Sequence, residues 1–274
     1  MANTPTPSGA QDEGAELSTD LARALENGEF FLVYQPTIDL QTNAFAGVEA
    51  LIRWRSPQRG VVSPDLFIGD LESSGIIVPV GRWALGVACS QGAVWHDRGY
   101  RFAVSLNISR LQFETEGFVD DVAKAISASR FDPFLLVLEF SQATILDDTK
   151  SALPLLQGLK SLGVRIAVDD FEPGRSSLDA LQEFEIDIVK LDRTFIAGIS
   201  NSKTAPSLVH QLVQQSKTRK VQIIASGIES AQQREELQLE EVDIGQGYLF
   251  SMPHEAEEID RFLEDFAIFS GKPL

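Results

Sequence analysis

The chain has 274 residues, with 23 Lys+Arg against 40 Asp+Glu and a formal net charge of −17. A hydrophobic fraction of 43% with 17 Phe supplies a sizeable core and excludes a disordered chain, and the single cysteine, Cys89, excludes a disulfide scaffold or a thiolate metal site within one chain. The acidic balance argues against a binder of polymeric DNA or RNA, and no apolar run approaches the ~20 residues of a membrane span, so a cytoplasmic protein is expected.

Residues 1–16 are polar and rich in Pro, Gly, Ser and Thr, which reads as a flexible leader before a folded domain over 17–274. Ser18-Thr19-Asp20 offers N-cap chemistry for a short helix ending at Gly28. FFLVYQP then reads as a strand from Phe30 stopped at Pro36, and AFAGVEALIRW as a second strand over Ala44–Trp54. Ser63-Pro64 opens a helix that Gly75 closes, and a longer amphipathic helix spans about Val80–Gly99. From there apolar strand candidates alternate with helical patterns: Phe102–Asn107, Phe134–Phe140, Val164–Asp170, Ile186–Asp192 and Val221–Gly227. Near-continuous apolar runs suit strands buried on both faces. Their alternation with helices predicts an α/β fold of right-handed βαβ units, a modified TIM-type (β/α)8 barrel. A final helix from Glu255 to about Ile268 closes the fold with an acidic outer face.

Polar residues fall at the C-terminal ends of these strands: Asn107, Glu139, Asp169, Asp170 and Lys190, with Glu49 on the early strand. In a barrel those ends converge on one mouth. Singly, Glu49 reads equally well as a solvated strand-edge carboxylate and Asp169-Asp170 as helix caps. Together, four carboxylates and an asparagine ending apolar strands are costly unless cations compensate them. An all-oxygen set favours Mg²⁺, Mn²⁺ or Ca²⁺ over zinc. With Lys190 beside a phosphate, the natural reaction class is metal-assisted phosphodiester hydrolysis, using two ions about 3.5–4 Å apart.

Glu49-Ala50-Leu51-Ile52-Arg53-Trp54 resembles the EALxRW signature of EAL domains, the cyclic di-GMP phosphodiesterases of bacterial signalling. The resemblance is carried further by Tyr34-Gln35-Pro36, Leu106-Asn107-Ile108-Ser109, Leu138–Phe140, Asp169-Asp170-Phe171, Lys190–Phe195 and Gln246-Gly247-Tyr248. It covers about Leu21–Pro253. It implies one ion held by Glu49, Asn107, Glu139 and Asp169, and a second held by Asp169, Asp170 and a later glutamate. Lys190 matches the family's lysine at the attacked phosphate, so Lys190, Glu49 and Asp170 are the implied catalytic set. Gln35, Leu51 and Arg53 match ligand-contacting positions, and Asp192, Glu229 and Gln246 further mouth residues. Mg²⁺ or Mn²⁺ is the implied cofactor, with Ca²⁺ binding without turnover. Cyclic di-GMP is the implied ligand and a homodimer the implied assembly, with a regulatory protein as a further partner.

Three departures set this sequence apart from the pattern. The family's AEGVE reads Ala225-Ser226-Gly227-Ile228-Glu229, which puts serine where the second-ion glutamate stands. A hydroxyl is a neutral, weaker ligand for a hard cation and no base at neutral pH. The ExxE motif reads Glu139-Phe140-Ser141-Gln142, with an amide for the carboxylate that buttresses the loop after the aspartate pair. That loop, usually DDFGTGYSSL, carries Glu172-Pro173, which changes its backbone freedom and removes an N–H. Glu172 is also a candidate replacement ligand. The first-ion set is intact, so the leading expectation is a degenerate cyclic di-GMP receptor with absent or strongly impaired hydrolysis. A working phosphodiesterase giving linear pGpG is the first alternative, and a protein-interaction module without nucleotide binding the second.

Overall fold

In the computed structural model the described residues are 20–174, 176–202 and 204–270, with side chains described to 264; the leader and the Ser18-Thr19 cap lie outside them. A helix, α1, covers residues 20–26. The strands are β1 (Phe30–Asp39), β2 (Phe45–Ser56), β3 (Gly60–Val62), β4 (Ala103–Asn107), β5 (Leu136–Ser141), β6 (Arg165–Phe171), β7 (Ile188–Leu191), β8 (Gln222–Ala225) and β9 (Ile244–Gln246). Their order is β1-β9-β8-β7-β6-β5-β4-β2-β3, and β1 also pairs with β2, so eight strands close into a barrel and β3 hangs from β2 as an extra edge. The remaining helices surround it: α2 (Ile68–Ser73), α3 (Ile77–Asp97), α4 (Arg110–Glu114), α5 (Phe118–Ser129), α6 (Gln142–Leu146), α7 (Thr149–Ser161), α8 (Arg193–Ala197), α9 (Ala205–Arg219), α10 (Ala231–Leu239) and α11 (Ala256–Ser270).

The expected α/β barrel is therefore the observed fold, with differences that have local causes. β1 runs antiparallel to both its neighbours and continues three residues past Pro36. Tyr34 and Leu40 send their N–H groups to His254 and Asp243 on the β9 side, so by alternation the missing N–H of Pro36 falls on that side. There it sits between the Tyr34–His254 bridge and the first β9 pair at Thr37. The expected strand start at Phe134 is instead a 3₁₀ turn over Pro133–Leu135, capped by Asp132. Between β6 and β7 the helix of a regular βαβ unit is replaced by a loop and a 3₁₀ stretch, Leu178–Phe184.

Among the described residues, three apolar clusters form the core. The largest lies between the barrel wall and the surrounding helices and includes Leu138, Phe140, Val168 and Leu191. A second packs α1, β3, α2 and the start of α3 around Trp54 and Phe67, whose rings meet edge to face at 6.1 Å. Trp54 is fully enclosed there and donates its indole N–H to Glu29 Oε2 at 2.9 Å, so the tryptophan of the EALIRW run is a structural anchor. The third cluster fills the barrel itself with Val137, Ala167, Ile188, Ile224 and Ile244. Two residues further along β5, β6, β7 and β9 from members of this layer stand Glu139, Asp169, Lys190 and Gln246. Alternation along a strand puts them on the same inner face, one step nearer the mouth.

Candidate functional site

Lys190, on β7, is the hub of the mouth. Its ammonium lies 3.0 Å from Glu49 Oε2, 2.5 Å from Glu139 Oε2 and 3.6 Å from Asp169 Oδ2. Lys190, Glu49 and Glu139 are buried. Parallel pairing sets their height: β4 and β5 align Asn107 with Glu139, and β5 and β6 align Ser141 with Asp169. Glu49 is held further by the amide groups of Asn107 (2.5 Å to Oε1) and Gln246 (2.7 Å to Oε2). Gln246 also donates to Gln35 Oε1 at 3.1 Å, and Gln35 donates to the Ser251 carbonyl at 3.1 Å. Burial alone opposes ionisation of Glu49, but Lys190 and the two amides outweigh it and hold its carboxyl below the ordinary range. Glu139 goes the other way, raised by burial and by the neighbouring Glu49 charge. Burial also works against the Lys190 ammonium, yet Asp169, Glu139 and Glu49 together raise it well above its ordinary value.

Three carboxyl groups therefore share one ammonium, and the ligand-capable atoms around it are carboxyl and amide oxygens. Among the described residues no three His, Cys, Asp or Glu side chains stand ready-converged as a metal cage; the ammonium is what draws these carboxylates together. The donor chemistry nevertheless fits hard divalent cations, which take carboxylate and amide oxygens. Asn107 spends its amide nitrogen on Glu49, leaving its oxygen as the group suited to such an ion.

The aspartate pair is built differently. Asp170 has φ +57°, a left-handed conformation that a non-glycine residue adopts at some cost, where the β6–β7 register shifts between Val168 and Phe171. The Asp170 N–H donates to Asp169 Oδ1 at 2.8 Å, and its carboxyl is raised by burial and by Asp169 and Asp192.

Two adjoining cavities open on these groups. The smaller, about 290 Å³, is lined by Gln35, Glu49, Asp170, Lys190, Ser226 and Gln246, and also by Glu229. The larger, about 640 Å³, runs toward α3 past Asn107, Glu139 and Ser141. Leu51, Asp169 and Asp170 line both. Arg53 and Asp192 line neither. Arg53 donates to the Ile52 carbonyl at 2.7 Å, and Asp192 caps α8, accepting from the Thr194 and Phe195 N–H groups at 2.8 and 3.0 Å. That cap delivers the next residue, Arg193, to the smaller cavity, a cation to which sequence reasoning assigned no role. Its signal was the position itself, three residues past Lys190 at a strand end.

Ser226 reaches this cavity from the end of β8, and its enclosed Oγ has no hydrogen-bond partner among the described residues. The turn that follows is fixed by Gly227 at φ +79°, where a Cβ would stand 2.8 Å from Arg193 Cβ. The loop after the aspartate pair is tied to α6 after all: Ser176 Oγ donates to Gln142 Oε1 at 2.5 Å while accepting from the Glu172 N–H at 3.3 Å. Pro173 is buried in this loop, and Glu172 lines neither cavity.

Residues 18–253 match the family model described as EAL domain. The chain is 35% identical to the bifunctional diguanylate cyclase/cyclic di-GMP phosphodiesterase MucR of Pseudomonas aeruginosa, over 90% of this chain and 36% of that protein. It is 34% identical to the cyclic di-GMP phosphodiesterase PdeR of Escherichia coli, over 91% of this chain and 38% of that one. It thus spans little more than a third of the length of these curated relatives. A solved structure of the PaMucR phosphodiesterase in complex with cyclic di-GMP superimposes with a TM-score of 0.85 at 35% identity, covering 89% of this chain and 99% of that one. Among the described residues no helix is long and apolar enough to cross a membrane.

Proposed function

The chain belongs to the EAL domain family, and from that premise we propose that it is a cyclic di-GMP receptor whose hydrolytic activity is absent or strongly impaired. The observation that carries this reading is Ser226, an enclosed hydroxyl without a partner among the described residues, on the wall where the family pattern calls for a glutamate. Glu49, Asn107, Glu139 and Asp169 would hold one Mg²⁺ or Mn²⁺; a second would have Asp169 and Asp170 but no third carboxylate. Such ions, when bound, supply Lewis acidity toward phosphate oxygens and lower the pKa of water. The chain's own contribution is to place charge and shape. Lys190 and Arg193 present cations toward a phosphate, and Leu51 offers an apolar wall. Gln35, Glu229 and Gln246 offer polar contacts, and Arg53, which lines neither cavity, would have to turn from the Ile52 carbonyl to join them. None of these needs the second ion, so binding outlasts turnover.

A working phosphodiesterase giving linear pGpG is the second reading. Two observations favour it: the activity named for PdeR, and the Gln142–Ser176 bond, by which an amide still anchors the loop.

Incubation with cyclic di-GMP and Mn²⁺, with products resolved by chromatography, separates the two. The receptor reading expects saturable binding by calorimetry in Ca²⁺, little wild-type product, and at least tenfold more product from Ser226→Glu. Rapid wild-type turnover, lost in Glu49→Ala and not raised by Ser226→Glu, sinks it.

A further inference from the structure

The end of the barrel opposite this mouth holds a second cavity, of about 220 Å³. Its ceiling is the layer of Glu139, Lys190 and Gln246, and its walls include Val137, Ile188, Ile224 and Ile244. At its opening stand Arg101, Phe134 and Arg165. Arg165 is the first residue of β6, two before Ala167 and four before Asp169, so the same inner-face alternation directs it into the barrel.

What marks this arginine is the state of its neighbours. Among the described residues its side chain makes no hydrogen bond or ion pair, and its Nε is fully enclosed without a partner. The carboxylates around it are already engaged. Asp187 gives both oxygens to Lys160, at 2.7 and 2.6 Å, and accepts from the Ile166 N–H. Asp132 pairs with Arg101 at 2.7 Å. Asp39, on the cavity wall, accepts through Oδ1 from the N–H groups of Gln41 and Thr42 in its own turn. Arg165 keeps one contact, its guanidinium 5.5 Å from the centre of the Phe134 ring, which is itself 63% exposed. Burial lowers the guanidinium from its ordinary pKa, and the nearby Asp187 charge, already shared with Lys160, only partly offsets it.

We propose that this end of the barrel is a second binding site, for a small organic anion whose carboxylate or phosphate head pairs with Arg165 and whose apolar body enters the isoleucine-lined cavity. A guanidinium offers a planar fork of donors matched to either head group. The cavity has room for about seven waters at ~30 Å³ each, which sets the size of the body at a single ring or a short branched chain. Phe134, exposed at the opening, gives such a ring a stacking face. The site is independent of the cyclic di-GMP reading, because none of its walls at the opening belongs to the other mouth.

Sodium benzoate and inorganic phosphate are the probes, titrated into the whole chain by calorimetry. Methyl NMR of the wild-type protein reads where they sit. Saturable binding of either probe is expected, with shifts at the Ile224 and Ile188 methyls and at least tenfold weakening in Arg165→Met, which keeps the apolar stem over Phe134. If Arg165→Met does not fold, the wild-type methyl shifts alone decide. Binding of neither probe overturns the proposal, as do shifts confined to Leu51 at the other mouth or affinity equal in Arg165→Met. In those cases Arg165 is a structural cap on Phe134.

Discussion

On the side of the mouth formed by β2, β4 and β5, the two carboxyl groups, Glu49 and Glu139, are buried and answered. Glu49 meets Lys190, Asn107 and Gln246, and Glu139 meets Lys190. On the side formed by β6 and β8, Asp170 sits exposed in a strained backbone position, and no described residue answers the Ser226 hydroxyl. The difference teaches where the sequence changes could be absorbed. A buried, mutually bonded cluster loses several kcal/mol when one member goes, because its partner is left charged and alone. Asp169 on β6 still reaches Lys190 at 3.6 Å, but Asp170 and Ser226 stand outside that interlock, so a carboxylate at the Ser226 position can become a hydroxyl without unfolding the barrel.

The largest test of that contrast is Lys190→Met. It strands Glu49 and Glu139 in the interior and is expected to cost about 3–5 kcal/mol of stability, read from the urea midpoint. A loss under ~1 kcal/mol would mean the two sides are equally loose. Next in size is the effect of Mn²⁺ on wild-type melting. An ion held by the interlocked side stabilises by about 2.7 kcal/mol at a hundred times its dissociation constant. Glu139→Gln, which swaps a proposed ligand for a neutral group of the same shape, should abolish most of that gain; an undiminished gain would place the ion elsewhere. Gln142→Leu removes the acceptor of Ser176 and should cost about 1 kcal/mol, with faster backbone exchange at residues 172–174. Gln142→Glu should leave exchange unchanged. The smallest effect belongs to Ser226→Ala: deleting an unanswered hydroxyl should leave stability within ~0.5 kcal/mol or raise it slightly. A loss above 1 kcal/mol would show that Ser226 has a partner in solution and would erase the contrast.

The strand ends were legible because their chemistry is conspicuous: Glu139, Asp169 and Lys190 interrupt apolar runs, and a barrel brings such ends to one mouth. What escaped was set by pairing rather than by composition. Ile244–Gln246 is three residues long, too short for periodicity to register, and becomes a strand because β1 and β8 flank it. Pro36 looked like a stop because the identity of its neighbours cannot be read from its own sequence. Gly60–Val62 hangs from β2 for the same reason. Within the site, the Ser226 departure was visible in sequence, but that its hydroxyl has no partner was not. Gln142 could be recognised as an amide in place of a carboxylate, whereas its bond to Ser176 depends on where α6 begins. Arg165 gave no sequence signal at all, since a single basic residue opening a strand is ordinary. It stands out through the prior engagement of Asp187 by Lys160.

Lys190 and Gln246 line both the lower cavity and the smaller cavity of the mouth, while Glu139 lines the lower cavity and the larger one. The barrel is therefore two rooms with a shared floor one side chain thick, and that floor is made of hydrogen bonds rather than packed hydrocarbon. A floor of this kind cannot shift for one room and stay still for the other. Any occupant that pulls the ammonium of Lys190 a fraction of an ångström upward deepens the room beneath it.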